Sequence, residues 1–420
     1  MNLLLKNVII TEPGNSHNGQ QADLRIENGI IAEIGSGLVA GNNEQEIDGA
    51  GAYLSPGFFD LNAAAGDPGF ETREDTDSLV AAARAGGFTG VALMPHTSPV
   101  VQSKSQVQYI LNKTKGAVTD IFPVGALSLE REGKELAELY DMRLAGAIAF
   151  SDGDRPVKDD GFMSRALQYL KGFDGLLMVY PENGSIAGKA KINESANSVL
   201  LGMKGLPALA EEMQIARDIF LARYNDARVH ISTVSTAGSV ELIRKAKQDG
   251  VRITCDVAAH HLSMTEDLLA EFDSHYKVKP PLRGQADVEA LLAGLKDGTI
   301  DAVCSQHRPE ETEFKNVEFE IAHYGIIALQ TVLPLLVKAG LKAEEIVRCL
   351  AIGPRNVLGL DVPAIAAGTK ASLTLFNTTE KWTYNEDNNY SLSVNSPLLG
   401  QELQGRVQLV INNNQLYSNG

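Results

Sequence analysis

Hydrophobic and polar positions alternate over the first fifty residues in short runs separated by turn formers. Residues 3–11 and 22–27 read as strands, Asn28-Gly29 as a hairpin turn, and 30–34 as the second arm of that hairpin. The last fifty residues behave alike at 371–376 and 405–411, closed by a turn at Asn412-Asn413-Asn414. The two ends therefore predict one small β-sandwich built from both termini, residues 1–53 and 364–420. Between them the rhythm changes. Apolar, β-branched segments at 90–94, 121–127, 145–151, 176–180, 229–232, 252–257 and 302–305 alternate with helical patterns at 77–85, 160–170, 207–224, 239–249 and 286–296. Such alternation implies a parallel sheet with helical crossovers. Roughly eight units over 54–363 fit a (β/α)8 TIM-like barrel of the α/β class better than an open sheet.

Composition adds limits. With 44% hydrophobic residues in 420, the chain has enough apolar content for a large core. A net charge of −16 argues against nucleic acid or an anionic membrane surface as partner, since both select a basic face. Cys255, Cys304 and Cys349 are too scattered for a disulfide framework or a metal knuckle, which predicts a reducing compartment. The N-terminus runs directly into a strand pattern without a leader signature, and no apolar run is long enough to span a bilayer. The expected location is cytoplasmic.

The chemistry-bearing segment is Ser55-Pro56-Gly57-Phe58-Phe59-Asp60-Leu61-Asn62-Ala63-Ala64-Ala65-Gly66-Asp67-Pro68-Gly69. Further on come Ala82-Ala83-Arg84-Ala85-Gly86-Gly87-Phe88-Thr89, Met94-Pro95-His96-Thr97-Ser98-Pro99-Val100, Ala149-Phe150-Ser151-Asp152, Lys279-Pro280-Pro281-Leu282-Arg283 and Gly368-Thr369-Lys370-Ala371. In order and spacing these strings resemble the dihydroorotase and wider cyclic amidohydrolase family over almost the whole chain. That family reads P-G-x-x-D-x-H-x-H-x-R-x-P-G in the first segment, with two zinc-binding histidines and a substrate-binding arginine. Here those three positions are Asn62, Ala64 and Gly66. Alternate residues of a strand share a face, so the spacing that would aim two imidazoles into a barrel mouth is kept without the imidazoles.

The resemblance carries the other ligands over one by one. A zinc histidine after the fifth strand corresponds to Tyr180, and one after the sixth to Thr233. His230, three residues from Thr233 along a strand, is expected to point to the opposite face. The aspartate that is general base and metal ligand corresponds to Gln306, and an amide cannot take up a proton. Asp152 matches an aspartate serving metal in part of the family, although Ser151-Asp152-Gly153-Asp154 departs from the usual Ser-Asp-Asp-Gly order. Among substrate contacts, two asparagines correspond to His96 and Lys279, and a loop histidine to Glu310. Zinc is the family's metal, and no cofactor is expected here. His96 and His307 could face the old pocket, while His260 and His261 read as packing residues. Tyr180, Lys279 and Glu310 would form a metal-free acid/base set only if they converge. Arg155 and Arg283 are expected to pair with carboxylates, and Asp60 to be a buried hydrogen bonder at a strand end.

A fold does not certify activity. The resemblance therefore implies a dihydroorotase homologue of pyrimidine biosynthesis that has lost metal-dependent hydrolysis and serves as a structural or regulatory partner. The partners implied are aspartate carbamoyltransferase or an active dihydroorotase, with a homodimer or higher oligomer. Two alternatives are a cyclic-amide hydrolase of dihydroorotase, hydantoinase or allantoinase type with a rearranged site, and a protein that binds a pyrimidine intermediate.

Overall fold

The structure is a computed structural model and describes residues 1–419. In chain order, β1 (Asn2–Ile10), β2 (Gln21–Glu27), β3 (Ile30–Gly35), β4 (Gln45–Asp48) and β5 (Tyr53–Pro56) open the chain. Asn28 and Gly29 both adopt positive φ, +52° and +78°, which is the turn whose twist matches two flanking antiparallel strands. β2 and β3 accordingly pair with Glu27 opposite Ile30. The C-terminal strands β16 (Leu373–Thr383), β17 (Glu402–Asn412) and β18 (Gln415–Ser418) join the same sheet, because β5 pairs with β1 on one edge and with β16 on the other. The order is β18-β17-β16-β5-β1-β2-β3, with β4 also on β1. Leu3, Leu5, Leu24, Ile26, Leu54, Leu373, Leu375, Leu409 and Ile411 form its fully buried core. The terminal β-sandwich is thus one continuous hydrogen-bonded sheet wrapped around that core.

The central region is β6 (Phe58–Ala63), α1 (Thr76–Ala85), β7 (Phe88–Leu93), α2 (Lys104–Lys113), β8 (Asp120–Gly125), α3 (Leu139–Ala145), β9 (Ala149–Phe150), α4 (Asp160–Lys171) and β10 (Leu177–Val179). It continues through α5 (Gly184–Ala187), β11 (Ile192–Asn193), α6 (Ala196–Leu200), β12 (Gly205–Leu206), α7 (Ala208–Asn225), β13 (Val229–Ile231), α8 (Ala237–Gln248), β14 (Ile253–Ala258), α9 (Gln285–Asp297) and β15 (Ala302–Cys304). Helices α10 (Thr312–Lys315), α11 (Val332–Lys338), α12 (Ala343–Val347) and α13 (Gly353–Leu358) lead back to β16. The strands β6, β7, β8, β9, β10, β13, β14 and β15 are neighbours in that order and all pairs are parallel, the TIM-like barrel that the alternation predicts.

The ring closes between β15 and β6 through side chains and a single backbone bridge rather than a full ladder. Ser305 donates its N–H and its hydroxyl to Asp60, both at 2.6 Å, and Ala64 N–H donates to the His307 carbonyl at 2.8 Å. Burial drives the Asp60 carboxyl up to about 6 against those two hydrogen bonds. Inside the ring, Phe59, Leu61, Ala92, Met94, Val124, Ala149, Met178, Ala258 and Cys304 pack together, and a larger apolar cluster lies between strands and helices.

Two features depart from the sequence reading. The strand expected at 145–151 shrinks to Ala149–Phe150, because α3 runs on to Ala145 and stops only at Gly146. The short parallel pair β11 and β12, inserted between β10 and α7, has too few residues to show a period.

Candidate functional site at the barrel mouth

Residues that follow the strands build a pocket with free space of about 520 Å3, counted out to its open mouth. Asn62 and Ala64 come from the end of β6, His96 follows β7, Gly153 and Asp154 follow β9, Tyr180 follows β10, Ser232 follows β13, and Gln306 to Arg308 follow β15. Val278, Lys279 and Tyr324 to Ile326 complete the wall. Of the predicted site residues, Asn62, Ala64, His96, Tyr180, Lys279 and Gln306 meet there. Gly66, Asp152, Thr233 and Glu310 are not among the lining residues.

Each of those four has another occupation. Gly66 sits in a tight turn, donating its N–H to the Glu74 carbonyl at 2.7 Å, and a Cβ there would lie 1.8 Å from the Phe70 carbonyl oxygen. No side chain fits without rebuilding the turn. Gly66→Ala is expected to lower stability by about 2–4 kcal/mol, read as a shifted urea midpoint. Asp152 accepts from Ser128 N–H at 3.0 Å and Ser128 Oγ at 2.6 Å, so its carboxylate anchors a neighbouring loop. Burial raises its carboxyl above the ordinary value, opposed by those bonds. Thr233 takes a left-handed φ of +64° and donates its N–H to Asp256 at 2.5 Å. Glu310 is buried against His323 Nδ1 at 3.0 Å, with Arg73 and Arg308 each 3.6 Å away. The acid/base set of Tyr180, Lys279 and Glu310 is therefore not assembled: Glu310 turns away.

Two polar groups occupy the pocket instead. In the first, the Asp154 carboxylate accepts from Arg131 at 2.5 Å and Arg308 at 2.7 Å, with His96 Nε2 at 3.3 Å. Burial alone would raise Asp154, but Arg308, His96 and Arg131 hold it well below the usual carboxylate range. Burial, reinforced by Arg131, pushes the His96 imidazole down to about 4, with Asp154 opposing. In the second, Lys279 Nζ lies 3.2 Å from Glu182 and 4.8 Å from the centre of the Tyr180 ring, whose hydroxyl is 3.4 Å from the same carboxylate. Burial and then Glu182 raise the Tyr180 phenol well above 10, so it stays protonated at neutral pH. Gln306 spends its amide N–H on the Lys279 carbonyl at 2.8 Å.

The His96 value fixes a sign. Between pH 6.5 and about 4 the unfolded chain binds a proton that the folded imidazole refuses, so this contribution to stability is complete above 6.5 and declines as pH falls toward 4. His96→Gln is expected to flatten the acid-side fall in unfolding free energy by about 1–3 kcal/mol, measured by urea titrations across that window.

The chain's relatives agree with this architecture. A family model described as dihydro-orotase-like matches residues 51–239, and one described as the amidohydrolase family matches 185–414. The dihydroorotase of Pelobacter propionicus is 40% identical over 410 residues, covering 96% of each chain, and that of Geobacter sp. (strain M21) is 38% identical over 100% of both. The chain belongs to the dihydroorotase family. Among solved structures, L-hydantoinase from Arthrobacter aurescens shares the fold at a TM-score of 0.85 with 22% identity, over 99% of this chain and 96% of that one. D-hydantoinase from a Thermus species does so at 0.82 with 22% identity, over 99% and 94%.

Within this dihydroorotase-family barrel, one sequence reading needs correction, the pairing of Arg155. His230 directs its ring to Thr254 Oγ1 at 2.9 Å and Asp256 at 3.1 Å, whereas Thr233, beyond the end of β13 at Ile231, donates its backbone N–H to Asp256 and turns its hydroxyl to the Gln306 amide at 3.4 Å. Arg155 pairs with backbone rather than a carboxylate, donating to the Glu130 and Arg131 carbonyls at 2.9 and 3.3 Å. Arg283 does pair with a carboxylate, Glu211 at 3.7 Å, as expected, and its closest partners are Asn193 Oδ1 and the Leu206 carbonyl, both 2.8 Å. His260 and His261 are buried with ring centres 4.5 Å apart, and His261 Nε2 lies 3.1 Å from the Pro280 carbonyl oxygen. Sequence reasoning missed Asp154, Arg131 and Arg308. The only signal was the displaced second aspartate of Ser151-Asp152-Gly153-Asp154. No helix is long and apolar enough to cross a membrane among the described residues.

Proposed function

We propose that this dihydroorotase homologue has lost metal-dependent hydrolysis and acts through binding, as a structural or regulatory partner in pyrimidine biosynthesis. The supporting observation is the donor set of the mouth. Hydrolysis of a cyclic amide at neutral pH calls for a metal-activated hydroxide, and zinc takes three protein donors of imidazole, thiolate or carboxylate type plus that water. The positions that would supply them hold Asn62, Ala64, a protonated Tyr180, Thr233 and Gln306. Among the described residues no three His, Cys, Asp or Glu side chains converge on one point. Asp154, the carboxylate nearest His96, is already neutralised by two guanidiniums. These residues do not fit zinc, and the resemblance makes aspartate carbamoyltransferase the first partner to test.

The names of the close relatives favour a second reading, a cyclic-amide hydrolase with a rearranged site. Metal content by plasma mass spectrometry and dihydroorotate turnover on one chelator-free sample separate the two. Metal far below one per chain with turnover at the uncatalysed rate is the expected result. One or two zincs per chain with dihydroorotate hydrolysis would replace it with the second reading. Size-exclusion chromatography with the carbamoyltransferase of the same cell tests the partner, and failure to co-elute at micromolar concentration would remove it.

A further inference from the structure

We propose that the outward face of α7 is the contact between two copies of this chain. The inference stands apart from the state of the barrel mouth. α7 is the longest helix among the described residues, and its inner side is buried through Ala210, Gln214, Ile215, Asp218, Ile219 and Ala222. A helix that covers a barrel should present polar residues outward. α7 instead exposes Leu209 by 52%, Met213 by 50%, Phe220 by 67% and Tyr224 by 81%. At 3.6 residues per turn these four and Ala216 fall within one narrow sector of the helix. Scattered apolar residues are ordinary on a surface, but a contiguous stripe marks an interaction site.

The spacing selects the occupant. Leu209 and Tyr224 are equidistant from the point between Ala216 and Arg217, and so are Met213 and Phe220. A two-fold axis through that point, perpendicular to the helix, lays α7 antiparallel on its copy, with Leu209 facing Tyr224, Met213 facing Phe220 and the small Ala216 at the closest approach. Such an isologous contact needs one surface that complements itself, which a stripe fitted to an unrelated protein would have no reason to be. Charge agrees. Glu212 and Arg223 lie on the same flank of α7, and the axis brings Glu212 of one copy to within about 3 Å, along the helix direction, of Arg223 of the other, whose guanidinium also pairs with Asp249 of its own copy at 2.8 Å. Arg217, near the axis, is already held by Asp218 and Asp160 of its own copy. The four apolar residues expose roughly 600 Å2 per copy, so their pairing covers roughly 1,200 Å2, the lower bound of stable interfaces.

Sedimentation velocity of the full chain over a range of micromolar concentrations tests the proposal. The expected mass is twice the 45.1 kDa of one chain, falling to one chain in Phe220→Asp with an unchanged thermal melt. Ala216→Cys supplies a reading that does not depend on that variant. The three native cysteines are buried, so mild oxidation should give a covalent dimer on a non-reducing gel, and the wild type should not. A chain that stays monomeric throughout would overturn the proposal, including the case in which a different protein covers α7. So would a dimer that survives Phe220→Asp and leaves Ala216→Cys uncrosslinked, since its contact would lie on another face.

Discussion

Glu211→Ala is expected to remove about 3–5 kcal/mol of stability, enough to unfold a marginal domain. Glu211 lies in the first turn of α7 and is only 3% exposed. One carboxylate oxygen accepts from Ser235 N–H at 2.8 Å, Thr236 N–H at 3.2 Å and Ser239 Oγ at 2.7 Å, while the other accepts from Ser235 Oγ. The start of α8 therefore hangs on a side chain from the preceding helix. Among the described residues the same carboxylate is the only one beside Arg283, a buried guanidinium whose remaining partners are Ser235 Oγ, Asn193 Oδ1 and the Leu206 carbonyl. Truncation leaves two backbone N–H groups at the entry to α8, two hydroxyls and a buried cation without their acceptor. Glu211→Gln keeps an acceptor oxygen and should lose roughly half as much. Urea unfolding of the three proteins, followed by circular dichroism, gives the ranking, and equal stability of Glu211→Ala and wild type would contradict it.

Asp154→Ala should lower stability by about 2–4 kcal/mol for a different reason. Its carboxylate is the shared anion of Arg131, only 9% exposed, and Arg308, and removing it leaves two guanidiniums facing each other without their common partner. The cost is that of uncompensated charge rather than of lost packing, so a second substitution can recover it. Asp154→Ala combined with Arg308→Met should be more stable than Asp154→Ala alone, because the added apolar side chain removes one of the stranded cations. A double-mutant cycle in urea reads the coupling, and strictly additive losses would mean that the ion pair contributes nothing. If hydrolysis has been lost, neither substitution changes turnover of dihydroorotate, which separates a structural cluster from a catalytic one.

What could be read from the sequence follows from the range of the interactions concerned. The Asn28-Gly29 hairpin and the strand and helix rhythm are local, and they were legible because turn formers and periodicity are properties of neighbouring residues. Strand lengths were less so. β10, β13 and β15 are each three residues long, since the ring needs only a short ladder at each step, while the apolar sequence runs on past them. At the mouth, the identities of Asn62, Ala64, Tyr180 and Gln306 were readable because strand ends carry them directly. The partners were not. Arg308 meets Asp154 across 154 residues of sequence, and Glu310, two positions further on, faces His323 and Arg73 instead of the pocket. Which way a loop residue turns is decided by charges contributed from other loops, and no local pattern records that.

The seam between β5 and β16 has a consequence for how the protein is made. Ser55 and Thr374, paired across that seam, come from opposite ends of the chain. At the usual ~5–20 residues per second of synthesis, the amino-terminal half of the sheet waits on the order of tens of seconds on the ribosome before its neighbour emerges. Through that interval β5 offers a bare edge of backbone donors and acceptors to any other strand in reach. A nascent or prematurely ended chain is thus most exposed to mispairing at the place where the finished protein is sewn shut.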